Sequence, residues 1–174
     1  MPANGRTFIW ASRICITSII FFWFTFLFTV STYTRRLRWE TSCCRLLLKL
    51  PHRQFVFTMP KALRPFFRHD RRLFAEVSRL IYDILRDFYQ EAAGRPLLTG
   101  MVIAHQTFGD MLRWNPHFHA IVLEGGFDDE GTFFYIPFSG LQSMVEVFRR
   151  RVIKLVVQRE LLNDDFARNL LSWR

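Results

Sequence analysis

Residues 115–124 read N-P-H-F-H-A-I-V-L-E, and the fold turns on how this stretch is read. From His117 onward the side chains alternate in character and then run into Ile121, Val122 and Leu123, which predicts a β-strand. Successive side chains on a strand point to opposite faces, so His117 and His119 share one face while Phe118 points the other way into a core. Asn115-Pro116 predicts a turn leading directly into His117, because the residue before a proline is steered out of the helical region. Gly125-Gly126 closes the stretch with turn chemistry.

Working outward, residues 100–108 (G-M-V-I-A-H-Q-T-F) predict a second strand, and residues 52–58 (H-R-Q-F-V-F-T) alternate apolar and polar until Met59-Pro60. Residues 132–136 predict a short strand. With Gly125-Gly126 and residues 128–131 as turn, it should form a hairpin with the histidine strand. Asp70 is placed to cap a helix on which Leu73, Val77, Leu80, Ile81, Ile84, Leu85 and Phe88 recur at helical steps, ended by Gly94 and Pro96. Ser139 is placed to cap a second helix carrying Val145, Phe148, Val152, Leu155 and Val156 on one face. The order strand, helix, strands, helix predicts an α+β fold, an antiparallel sheet with flanking helices.

The chain has 174 residues, with 24 Lys+Arg against 15 Asp+Glu and a formal net charge of +9. Half of it is hydrophobic, which excludes a disordered chain, and 3 cysteines cannot build a disulfide framework. Residues 1–50 hold 7 basic residues and one acid, whereas residues 51–174 hold 17 and 14. Most of the surplus therefore lies outside the part that looks globular, and the high pI is poor evidence for DNA binding. The chain divides into an apolar and basic extension, 1–50, and a domain, 51–174.

The extension is uncharged from Ile14 to Thr34 and then carries Arg35, Arg36 and Arg38. About 20 apolar residues span a bilayer, so this uncharged stretch is long enough, with Ile14 to Val30 meeting the membrane and the C-terminal side in the cytoplasm. This gives the alternative function, a single-span membrane-anchored protein without enzymatic activity. Two other readings are a poorly structured extension and a stretch of translated upstream sequence that is not the native frame.

Two imidazoles on one strand face are half of a divalent metal site. His105 and Gln106 alternate on the neighbouring strand, so one of them can face the pair. With Gln106 as an oxygen ligand, the mixed site suits catalytic Mg²⁺ or Mn²⁺ better than structural Zn²⁺. Asp110 is a rival third ligand. Arg64, Arg68, Arg71 and Arg72 cluster around Phe66-Phe67, an arrangement able to track a DNA backbone with bases stacked on rings. Arg149, Arg150, Arg151 and Lys154 form a second basic patch. A solvated helix face accounts for either group equally well.

Four segments in order resemble one family: P-H-R-Q-F-V-F-T-M-P-K (51–61), D-R-R-L (70–73), Q-T-F-G-D (106–110) and N-P-H-F-H-A-I-V (115–122). They are similar to insertion-sequence transposases of the two-tyrosine, rolling-circle type, named HUH for two histidines flanking a bulky apolar residue. The resemblance covers about residues 51–174. It implies that His117, His119 and a third polar ligand, Gln106, hold one divalent ion that polarises the scissile phosphate of single-stranded DNA at element ends. It further implies that a tyrosine attacks phosphorus, giving a 5′-phosphotyrosine and a free 3′-hydroxyl, in the cytoplasm of a bacterium.

The sequence departs from that pattern in two places. The family carries paired tyrosines on a helix well downstream of the histidines, whereas here only Tyr135 lies beyond His119 and is a weak candidate. Tyr82 and Tyr89 fall on the first long helix. The family's Cys-rich zinc region also has no counterpart, because Cys15, Cys43 and Cys44 form no C-x-x-C. The expectation is a truncated transposase that keeps DNA and metal binding and is inactive alone. A sheet lacking its later elements would expose a strand edge and aggregate.

Overall fold

A computed structural model describes residues 29–33, as backbone, together with residues 47–109 and 113–172. The strands are β1 (Thr29–Tyr33), β2 (His52–Thr58), β3 (Met101–Phe108), β4 (Trp114–Leu123), β5 (Gly125–Phe127) and β6 (Phe133–Tyr135). The helices are α1 (Arg64–His69), α2 (Arg72–Ala93), α3 (Leu141–Gln158) and α4 (Asp164–Ser172). The main sheet has the order β1-β2-β4-β3, with antiparallel pairing throughout. This is the expected α+β class, an antiparallel sheet with flanking helices.

Alternation along β2 and β4 makes one face of the sheet apolar. Phe57 stands opposite Phe118 and Phe55 opposite Ala120, and all four are fully buried. α2 covers this face because Leu73, Val77, Ile81 and Leu85 lie on one side of the helix and are buried there. α3 adds Phe148, Val152 and Val156. Ring contacts join the layers, with centroids 4.9 Å apart for Phe57–Phe148 and 5.8 Å for Phe74–Phe118. Each fully buried phenylalanine contributes roughly 1.5–3 kcal/mol, so this face holds the fold together.

Several local features differ from expectation, each for a physical reason. β4 begins at Trp114, so Asn115-Pro116 lies within the strand and is not a turn. Phe108 pairs with Trp114 and Gln106 with His117, which leaves one extra residue on β4 between the two rungs. That bulge accommodates Pro116, which has no N–H to give to a ladder. The short strand β6 pairs with β5 in a separate two-stranded sheet, and not with the histidine strand. Gly125, at φ +140°, redirects the chain there, and a Cβ on it would overlap the Phe134 carbonyl oxygen.

Helix starts also shift. Asp70 Oδ1 accepts from the Arg72 backbone N–H at 2.9 Å, so its capping chemistry is present although Arg71 occupies the cap position. Gly140, at φ +85°, replaces Ser139 at the start of α3. α4 was not anticipated. Its signal was Asn163-Asp164-Asp165: Asn163 Oδ1 accepts from the Phe166 N–H at 2.8 Å, and two acids sit in the first turn. Ala167 and Leu170 on this helix are buried.

Among the described residues no helix is long and apolar enough to cross a membrane. The stretch between Ile14 and Val30 lies outside the described residues except for Thr29 and Val30 in β1.

Candidate functional site

The face of the sheet opposite the core carries the histidine pair. His117 and His119 are half-buried between the fully buried Phe118 and Ala120, with ring centroids 4.9 Å apart. In register, Gln106 stands opposite His117 from β3 and Val56 opposite His119 from β2. The choice between His105 and Gln106 is thereby decided. The His105 ring goes to the other side of β3, 4.5 Å from the Phe74 ring on α2.

The hydrogen bonds of His117 set its tautomer. Its Nδ1 lies 2.8 Å from the Asn115 carbonyl oxygen, which only accepts, so Nδ1 carries the proton. Burial holds the imidazole below its usual pKa, outweighing the Asn115 bond that raises it, and the Arg64 guanidinium lowers it further. The neutral ring then presents an unprotonated Nε2, 3.1 Å from Gln106 Oε1. The Gln106 amide can meet this nitrogen with its N–H₂ as donor, or turn to set its oxygen beside it.

Burial pushes the His119 pKa down to about 4, with His117 adding to the effect. Gln54 Nε2 lies 3.4 Å from His119 Nδ1 and is placed to orient this ring from β2. Sequence reasoning passed over Gln54. The alternation of H-R-Q-F-V-F-T contained the signal, because it set Gln54 on the face opposite Phe55. Among the described residues no group of three or more His, Cys, Asp or Glu is gathered, so an ion here would rely on the amide oxygen as well as the imidazoles. Asp110 lies outside the described residues.

The arginines divide into two kinds. Arg64 is half-buried and serves the fold: its Nε donates to the Met59 carbonyl at 3.0 Å, and its own carbonyl accepts from Trp114 Nε1 at 2.9 Å. Burial lowers its pKa. Arg68, Arg71 and Arg72 are exposed and make no ion pair among the described residues. Phe67 is fully buried in the core and closed to a base, whereas Phe66 is half-buried. On α3, Arg149 and Arg150 pair with Glu146, and Arg151 pairs with Asp87 on α2. Three of the four basic residues of that second patch thus have ion-pair partners, with Arg149 and Arg150 sharing one carboxylate.

Tyr82, Tyr89 and Tyr135 stand away from the pair. Tyr82 and Tyr89 belong to α2, on the core side of the sheet, and Tyr89 is fully buried. Tyr135 pairs with Gly125, six residues beyond His119, on the order of 20 Å along the chain at strand spacing. The structure thus brings His117, His119 and Gln106 together, sets Arg64 close by, and leaves Tyr135 elsewhere.

Fold and site together define an α+β protein whose antiparallel sheet presents a histidine pair and an amide on its open face. Residues 100–170 match a family model described as "Putative transposase". The transposase for insertion sequence element IS801 of Pseudomonas savastanoi pv. phaseolicola is 34% identical over 119 residues, which is 68% of this chain and 27% of that protein. No solved structure matches the chain. By these two matches the chain belongs to the insertion-sequence transposases, and it spans about a quarter of the length of the relative it matches.

Proposed function

We propose that the chain supplies the metal-binding half of a strand-nicking site used in transposition, acting in the cytoplasm on single-stranded DNA at element ends. The observation that carries this reading is the convergence of His117 Nε2 and the Gln106 side-chain amide, 3.1 Å apart, beside the His119 ring. The Gln106 amide can turn its N–H₂ to the ring as a donor or present its oxygen beside the unprotonated Nε2, and burial keeps His117 neutral. With the oxygen presented, the mixed nitrogen and oxygen donor set would fit a divalent cation in an open catalytic site.

His117, His119 and Gln106 would hold Mg²⁺ or Mn²⁺, which acts as a Lewis acid toward the scissile phosphate. The chain's own groups orient the site. The Asn115 carbonyl fixes the His117 tautomer, Gln54 steadies His119, and Arg64 and Arg68 offer positive charge to flanking phosphates. The phenol oxygen that would bond to phosphorus, releasing the 3′-hydroxyl, is to come from outside the described side chains.

The test mixes the full chain with a single-stranded oligonucleotide bearing an element end and Mn²⁺. We expect Mn²⁺ binding by electron paramagnetic resonance, lost in His117→Ala, and DNA binding that weakens as salt rises, with no covalent adduct on a denaturing gel. An adduct would show that the chain carries its own nucleophile. Failure to bind Mn²⁺ would remove the metal from the reading.

A further inference from the structure

We propose that the open depression lined by Arg68, Thr107, Phe108 and Trp114 is a stacking site for one nucleobase of single-stranded DNA. The proposal rests on the DNA reading above and deepens it by naming where a base is held. The depression has a volume of about 480 Å³. Its floor is aromatic: Phe108 is 46% exposed at the end of β3, and Trp114 is its partner across the ladder.

Trp114 is fixed, because its Nε1 donates to the Arg64 carbonyl at 2.9 Å. A ring already immobilised loses little conformational freedom when a base stacks on it. Nearby, the Gly109 N–H donates to the Arg113 carbonyl at 2.8 Å and continues the β3–β4 pairing past the Phe108–Trp114 rung. Arg68 brings a cation without an ion-pair partner among the described residues, and Thr107 brings a hydroxyl that can both donate and accept toward a base edge.

Position gives the site its meaning. The Phe108–Trp114 rung is the next after Gln106–His117, two residues along β3, or about 7 Å. A strand whose phosphate sits at the histidine pair would bring a neighbouring base to this depression, with Arg68 beside the intervening backbone. Aromatic platforms in a basic setting are how single strands are held without sequence preference, because every base has a π-face. The bulge that admits Pro116 is also what brings Trp114 opposite Phe108.

The test uses the full chain, fluorescence anisotropy, and two dye-labelled ligands of equal length and charge: oligothymidine and the corresponding abasic deoxyribose-phosphate chain. The native protein should prefer oligothymidine roughly 5- to 100-fold, the effect expected of one stacked base. Phe108→Ala should erase that preference, and Phe108→Tyr should keep it. Arg68→Gln should weaken both ligands alike and flatten the salt dependence. Thermal melting of each variant reports on folding, and the exposed Phe108 leaves little to lose there. Equal affinity of the native protein for both ligands, or a preference that survives Phe108→Ala, overturns the stacking site while leaving DNA binding in place. If neither ligand binds, the DNA reading itself fails and the stacking site with it, whereas Mn²⁺ binding is read separately.

Discussion

β4 carries polar groups at both ends, and the two ends treat them in opposite ways. Beyond its C-terminal end, Glu124 is buried, and its Oε1 accepts from Arg53 Nε at 2.6 Å. The Glu124 backbone is matched too, with its N–H donating to the Pro51 carbonyl at 2.9 Å and its carbonyl accepting from the Ile136 N–H at 3.0 Å. Toward the other end neutral groups converge, His117 Nε2 lying 3.1 Å from the Gln106 side-chain amide with the His119 ring beside it. A buried charge with its partners in place is structural, because it completes the desolvation account by itself. Neutral groups that converge on an open face strand no charge and can exchange their mutual contacts for a ligand. The contrast separates scaffold from site on a single strand.

The largest effect should come from breaking the satisfied end. Glu124→Ala leaves the Arg53 guanidinium largely buried without its carboxylate, so urea denaturation should show a loss of about 3 kcal/mol or more. His117→Ala should cost about 1 kcal/mol or less, since it removes neutral contacts on the open face and strands no charge. Equal losses for the two variants would erase the distinction. Next in size, Gly125→Ala forces a side chain into the Phe134 carbonyl at a positive φ, and a loss of about 2–3 kcal/mol is expected in the same experiment.

Acid sharpens the comparison from the other end. The folded His119 takes a proton near pH 4 and the unfolded residue near 6.5, so between these values the unfolded chain binds more protons. Its contribution to stability is present above pH 6.5 and is lost as the pH falls toward 4. Melting of the metal-free chain across that window should show the decline, and His119→Ala should flatten it. The smallest effect is assigned to Gln54→Ala, which should lower Mn²⁺ affinity about tenfold with little change in stability. An unchanged affinity would remove Gln54 from the site.

Much of the scaffold was legible because it depends on period alone. The alternation around Phe55, Phe57 and Phe118 and the helical spacing of Leu73, Val77 and Ile81 each name the side that must leave water. Places where a residue answers to a neighbour distant in sequence were not legible. The pairing of Trp114 with Phe108 depends on an extra residue in a ladder, and the separate hairpin depends on how Gly125 meets Phe134. Ser139 has the side chain of a cap, yet α3 starts from Gly140 at φ +85°, a backbone conformation that side-chain capping preference does not report.

The same division holds for the site. Sequence by itself determined that His117 and His119 share a face, since a strand alternates at every residue and Phe118 belongs to the core. On the adjoining strand it left His105 or Gln106 as the polar group that could face the pair, with Asp110 as a rival in the loop. The tertiary structure decided that Gln106 is the one that faces the pair, that Gln54 reaches His119 from β2, and that Tyr135 lies at the far end of β4. Local geometry fixes the direction of a side chain on its own strand, whereas the register between strands decides which groups converge. Register is set by the burial of the whole apolar face, and no single strand contains it.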